Sequence, residues 1–297
     1  MNYSKCQALF LLSTLGMLLF SCSPKPYANV NKAHKKQVEA QVEKITATPA
    51  VKQDVSDTTR LNDLWVGTTN FSIRKPNFVI IHHTAQDSLA QTIHTFTVPH
   101  SQVSSHYVIG RDGAVVQMLN DYLRSWHAGK GMWGHDTDLN SSSIGIELDN
   151  NGREPFAEAQ IESLLKLLKR LKEGYNIPTA NFIGHADIAP SRKVDPSAHF
   201  PWKKLAEEGF GIWYDDFLLM DIAVPTDEIN YKTETVMLEP VPTSFKPKEA
   251  LKIIGYDVSD LDAAIRAFKL HFIQKDIEAG LNNNDIRILH NLYKKYL

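Results

Sequence analysis

Cysteine is nearly absent from this chain. Of 297 residues two are cysteines, Cys6 and Cys22, and both precede the region where a folded domain would begin. A domain built from later residues therefore has no disulfide to staple it and must be held by a packed core. A charge excess of either sign is also missing. Against 34 acidic residues stand 32 lysines and arginines, a formal charge of -2, which removes the whole-surface electrostatic case for nucleic acid. Long apolar runs are confined to the N-terminus, and that run falls short of the roughly 20 residues of a bilayer span. What remains, 43% hydrophobic and 22% charged, is the composition of an ordinary globular protein. The length accommodates one large domain, or a medium domain with a small one.

The N-terminal run has its own logic. "MNYSKCQALFLLSTLGMLLFSC" places Lys5 near the start, an apolar stretch next, and small residues before Cys22. This is the layout of a secretory signal peptide over residues 1–21, with a membrane anchor as the alternative. The ending "LFSC" resembles a bacterial lipobox, in which Cys22 becomes the lipidated first residue of the mature protein. Ser23 then resembles the Gram-negative signal for outer-membrane sorting. The expectation is a lipid-anchored protein of the outer membrane facing the periplasm. Residues 22–60, rich in Lys, Gln, Ala, Thr, Asp and Val, read as a tether, with a local helical pattern at "KKQVEAQVEKI".

The character changes at "FVIIHHTA". Phe78 to His82 form a mostly apolar run with β-branched members, suited to a strand buried on both faces. "SSHYVIGRDGAVVQML" reads as a hairpin, Tyr107 to Ile109 and Ala114 to Leu119 around Arg111-Asp112-Gly113. "SIGIELD" is a further short strand ending in acid. "PFAEAQIESLLKLLKRLKEGYNIP" is the strongest helix: Ile161, Leu164, Leu165, Leu168 and Leu171 share a face, and Gly174 and Pro178 end it. "NFIGH" supplies another strand edge. The fold class is therefore α/β, a mixed central sheet flanked by helices over residues 61–220. Residues 221–247 carry Pro225, Pro240, Pro242 and Pro247 without a period and read as a linker. Residues 248–297 hold three short helical patterns and are expected to form a small all-helical domain.

Twelve histidines exceed what a core needs. His82 closes the strand begun at Phe78, and His185 closes "NFIG". Ligands at strand ends are held by a rigid sheet yet face a cleft, which suits a preorganised metal site. In an extended pair His82 and His83 point to opposite faces, so at most one enters a given site. Two histidines with one carboxylate are a recognised zinc arrangement that keeps a fourth position open. The segment "GHADIAPSRKVDP" offers Asp187 and Asp195 for the carboxylate, and spacing alone does not choose between them. Hydrolysis also needs a base for the attacking water and a cation for the developing oxyanion. Glu147, at the polar end of "SIGIELD", and Lys193 are the candidates.

Taken in order, "VIIHHTA", "SSHYVIGRDGAVVQML", "WHAG", "NSSSIGIELDN" and "GHADIAPSRKVDP" resemble the zinc-dependent N-acetylmuramoyl-L-alanine amidase family of the amidase-2 type. The resemblance covers roughly residues 60–215. It implies hydrolysis of the amide between N-acetylmuramic acid and L-alanine in peptidoglycan or (anhydro)muropeptides. It implies zinc on His82, His185 and Asp195, which decides between the two aspartates, with Glu147 as the proton-transfer group and Lys193 as the cation. His106 and His127 fall in motifs that resemble structural or cleft-lining positions, and Trp126 and Asn150 are further cleft candidates. A non-catalytic peptidoglycan recognition protein on the same fold is the rival reading. The last helices resemble a divergent peptidoglycan-binding module, or else cap the amidase domain. Membrane contact is expected through lipid on Cys22, and nucleic acid is not an expected partner.

Overall fold

The protein is described here from a computed structural model, over residues 26–46, 68, 70, 72–219 and 240–297. The expected signal peptide, Cys6, Cys22 and most of the expected linker lie outside those residues. The chain divides into two compact units at Asn70/Phe71. The first contains helix α1 (Ala28–Thr46), which carries the "KKQVEAQVEKI" pattern and buries none of its side chains. Among the described residues no helix is long and apolar enough to cross a membrane.

The second unit opens with β1 (Phe78–His83) and α2 (Leu89–Thr97), whose N-terminus is capped by the Ser88 side chain. The hairpin β2 (Tyr107–Ile109) and β3 (Val115–Gln117) follows. Then come α3 (Leu139–Ser142), β4 (Ser143–Leu148), α4 (Glu158–Tyr175), β5 (Phe182–Gly184), α5 (His185–Ile188) and α6 (Trp202–Glu207). Helices α7 (Pro247–Ile254), α8 (Leu261–Phe272) and α9 (Asn283–Tyr296) complete the chain. The five strands form one sheet in the order β3-β2-β4-β1-β5. β1 runs parallel to β4 and β5, and β2 runs parallel to β4, while the edge strand β3 is antiparallel. The sheet is thus mixed, as its sequence predicts.

Side-chain alternation divides the interior in two. Val79 and Ile81 of β1, Ile144, Ile146 and Leu148 of β4, and Phe182 of β5 face one side and pack against α4. From α4 come Ile161, Leu164, Leu167, Leu168 and Leu171, at helical spacing. Burying such a side chain contributes about 1.5–3 kcal/mol, so this stripe is what fixes α4 to the sheet. The helix is capped two residues later than its glycine suggests. Gly174 stays helical, and Asn176 takes the left-handed conformation at φ 52, its N–H closing on the Lys172 carbonyl. Asparagine tolerates that conformation better than most residues with a Cβ.

The opposite face of the sheet does not meet solvent. Ile80 and Ile183 join a second cluster with Ile188, Leu251, Ile254, Phe268, Leu289 and Leu292, so α7, α8 and α9 share a core with the sheet. Local signals set these helices: Pro247 in the first turn of α7, Asp260 capping α8, and a reciprocal Asn282–Asp285 capping box on α9. Leu168→Ala, at a fully buried position, should cost about 2–5 kcal/mol in urea unfolding. Lys166→Ala, on the exposed face of the same helix, should stay within about 0.5 kcal/mol.

Candidate metal centre and active-site cleft

Each strand sends its polar residues toward one place. On β1 His82 shares a face with Ile80, and it sits in register with Glu147 on the adjacent β4. The alternation of β4 puts Ser143, Gly145 and Glu147 on that face while Ile144, Ile146 and Leu148 fill the core behind. His185 follows β5 directly, as the first residue of the single-turn helix α5. "GHADIAPSRKVDP" is therefore a turn of helix and a return loop rather than loop throughout. The return is tied back by the Ala186 N–H to the Asp195 carbonyl at 2.7 Å, which places Asp195 beside His185.

Three donor atoms converge there. Nδ1 of His82 lies 2.9 Å from Nδ1 of His185, and both lie 3.1 Å from Oδ2 of Asp195. All three residues are buried, and they are the group of side chains among the described residues positioned to hold a metal ion. Burial works to raise the Asp195 carboxyl, but hydrogen bonds and charge from His185 and His82 outweigh it and hold the group far below the usual range. Burial, with His185 nearby, takes His82 down to about 4 against the pull of Asp195. These shifts favour a neutral His82 and an ionised Asp195 at neutral pH, the forms in which those two side chains bind a cation.

The far nitrogens are committed elsewhere. His185 Nε2 donates to the Ala128 carbonyl at 2.9 Å, which leaves Nδ1 as the lone-pair nitrogen facing the site. His82 Nε2 meets Nδ1 of His127 at 3.1 Å, and His127 Nε2 meets the Ser143 hydroxyl at 3.1 Å. The Ser143 hydroxyl donates to the Leu139 carbonyl. One set of tautomers satisfies the whole chain, with His82 donating to His127 and His127 to Ser143. The His127 backbone N–H and that of Ala128 both donate to Asn140 Oδ1, which holds the "WHAG" loop in place. Gly145 leaves room for the ring, because a Cβ there would lie 2.4 Å from it. His127 thus orients the His82 ring, a more specific role than the structural or cleft-lining one expected from its motif.

Glu147 looks into the same cleft. Its Oε2 is sealed from solvent and has no hydrogen-bond partner among the described residues. Burial pushes the carboxyl up to about 8, reinforced by Asp195 and opposed by Lys193. Lys193 and Trp126 line the cleft too, which has a volume of about 430 Å³. His83 points away from the ligand triangle. Its Nδ1 accepts the Ser197 N–H at 3.1 Å, and its ring packs on Gly152. Asp187 is also outside the triangle, with Oδ2 accepting from the Gly184 N–H and Oδ1 from Tyr256. Asn150 does not line the cleft; its side chain bonds the backbone of Gly152 and Glu154, a turn-forming role. His106 bonds the Gly145 N–H and the Leu123 carbonyl behind the site.

Comparison with known proteins fits this geometry. Residues 72–198 match the family model described as N-acetylmuramoyl-L-alanine amidase. N-acetylmuramoyl-L-alanine amidase AmiD of Escherichia coli is 36% identical over 220 residues, 65% of this chain and 74% of that protein. The chain belongs to the N-acetylmuramoyl-L-alanine amidase family. Among solved structures, the complex of E. coli AmiD with the substrate anhydro-N-acetylmuramic acid-L-Ala-D-gamma-Glu-L-Lys aligns with a TM-score of 0.62 and 29% identity, covering 77% of this chain and 93% of that one. AmpDh3 from Pseudomonas aeruginosa aligns with a TM-score of 0.63 and 27% identity, over 83% of this chain and 99% of that one. In this amidase both alignments extend beyond the matched residues 72–198.

Two outcomes follow from the site. His127→Ala should weaken divalent-metal binding by about 10- to 100-fold, read by chelator competition, because His82 loses the partner that orients it. In metal-free protein, the folded state keeps the Glu147 proton to about pH 8, whereas the unfolded chain releases it near 4.5. Its contribution to stability is therefore lost as pH rises through that window. His82 and His106, near 4 when folded and 6.5 otherwise, act oppositely, and their contribution is complete above about 6.5. Between pH 6.5 and 8 Glu147→Gln should thus remove a stability loss of about 1.5 kcal/mol, measured by urea unfolding.

Proposed function

We propose that the protein is a zinc-dependent hydrolase of the amide between N-acetylmuramic acid and L-alanine, acting on peptidoglycan or on intact and anhydro muropeptides. The observation that carries this reading is the convergence of His82, His185 and Asp195 beside the partnerless carboxyl of Glu147. Two imidazoles and one carboxylate match the donor set of hydrolytic zinc sites, and the neutral form of His82 and ionised form of Asp195 suit it. Bound there, zinc would supply Lewis acidity toward water and the scissile carbonyl. The AmiD complex, whose ligand is an anhydro-muropeptide, supports the substrate class.

The chain's own residues then divide the proton work. Glu147 stands in register with His82, on the wall of the cleft that holds the three ligands. It accepts the proton of the attacking water and returns it to the departing amine of L-alanine. A carboxyl held between the acid and base ranges suits both steps. Lys193, on the same cleft, offers positive charge where the oxyanion develops. Trp126, more than half exposed at the cleft, presents an apolar face to substrate.

The cellular setting in this reading rests on sequence. The signal-peptide layout and "LFSC" support lipidation of Cys22 and a position on the outer membrane facing the periplasm. Within the same reading residues 248–297 contribute wall binding, supported by a cleft of about 290 Å³ where Ile253 and Tyr293 meet Phe245 of the preceding segment.

Zinc-loaded full-length protein should release free stem peptides beginning with L-alanine from muropeptides, detected by mass spectrometry. Glu147→Ala should keep zinc and lose turnover by at least about 100-fold. Binding without release, on intact and anhydro substrates alike, would replace the amidase with a recognition protein.

A further inference from the structure

Asp187 is a buried carboxylate that the ligand triangle does not use, two residues from His185 in the one-turn helix α5. It accepts three hydrogen bonds. One is local: the Gly184 N–H reaches Oδ2 at 2.7 Å and closes the turn's own cap. The other two come from the C-terminal helices. The Tyr256 hydroxyl, just beyond α7, donates to Oδ1 at 2.8 Å, and Nδ1 of His271 on α8 donates to Oδ2 at 2.8 Å. All three residues are buried, so each bond is shielded from water and each partner lost would strand a polar group.

The surroundings immobilise these partners. His271 stacks between Trp202, at 3.9 Å between centroids, and Phe272, at 4.1 Å. Trp202 also abuts Gly184, where a Cβ would meet Pro196 Cδ at 2.9 Å and the Trp202 ring at 3.0 Å. Pro196 follows the ligand Asp195, so one packed junction touches the segments that carry two ligands. Tyr256 meets Trp133 edge-to-face at 5.0 Å, and the Gly134 N–H donates to the Gly255 carbonyl at 2.8 Å. That loop is the one whose Ala128 carbonyl accepts the hydrogen bond from His185 Nε2. The C-terminal helices therefore brace both the turn that carries His185 and the loop that sets its tautomer.

We propose that Tyr256 and His271 are positioning residues of the metal centre, acting through Asp187 on His185, so that the C-terminal helices form part of the centre's foundation. This rests on the metal-site reading given above and extends it to residues far outside the cleft. A pure cap would give α7 and α8 apolar contacts with the sheet. It would not require two polar donors aimed at one carboxylate beside a ligand.

The test measures zinc affinity of the full chain by chelator competition and the visible spectrum of the cobalt-substituted protein. Tyr256→Phe and His271→Leu should each weaken zinc binding by about tenfold or more and alter the cobalt spectrum. His271→Asn, whose amide N–H stands where Nδ1 donates, should restore most of both. Leu292→Ala, in the shared core and outside the hydrogen-bond set of Asp187, should lower stability and leave affinity and spectrum unchanged. If His271→Leu does not fold, Tyr256→Phe against His271→Asn carries the same comparison. Wild-type affinity and spectrum in folded Tyr256→Phe and His271→Leu would overturn the proposal, as would an equal loss of affinity in Leu292→Ala. A wild-type chain that binds no zinc is a separate result, and it would overturn the metal centre itself.

Discussion

Electron pairs on His82, His185 and Asp195, held about 3 Å apart in a buried pocket, repel one another unless a proton or a cation lies among them. Holding them there is a constraint that the fold must meet from three separate stretches of chain. Adjacent parallel strands β1 and β5 deliver the histidines, and the return from α5 delivers the aspartate. The rigidity of a sheet packed on both faces is what keeps the triangle from relaxing apart. Each far nitrogen is then anchored on backbone or on a second imidazole, so that the rings cannot turn away.

The two faces of the sheet serve this arrangement unequally. One packs against α4 with aliphatic and aromatic side chains and carries no chemistry. The other begins apolar, at Ile80 and Ile183, and becomes polar toward the strand ends at His82, Glu147 and His185. α7 to α9 cover the apolar part and leave the polar end open as a cleft. The same helices that close the core therefore lie beneath the ligands.

Much of this was legible in the sequence. β1, the hairpin, β4 and α4 follow from alternation and helical spacing, because each buries a face whose period is local. The ligand triangle was less so. Asp187 and Asp195 are equally polar, and Asp187 is the nearer to His185 along a segment without a period, so spacing gives no reason to prefer Asp195. What separates them is tertiary: Asp187 is claimed by Tyr256 and His271, which lie 69 and 84 residues away in the chain. The helical turn of α5 was hidden for the same reason, since four residues give no period to read. Asn150 misled because a polar residue after a strand reads equally well as cleft or turn. The support role of His127 had one available signal, the small Gly145 between two β-branched residues of β4, and that signal becomes meaningful once the ring opposite it is known.

Gly145 and His127 occupy what is in effect a single shared volume, and this couples two positions that sit on different segments of the chain. A side chain larger than hydrogen at 145 evicts the imidazole at 127, and a smaller residue at 127 leaves a hole over the strand. Neither position can drift alone. Among homologous chains the pair should vary together or not at all, so that a glycine in the middle of a buried strand becomes a marker for whether a relative has kept the orienting imidazole behind the residue at position 82.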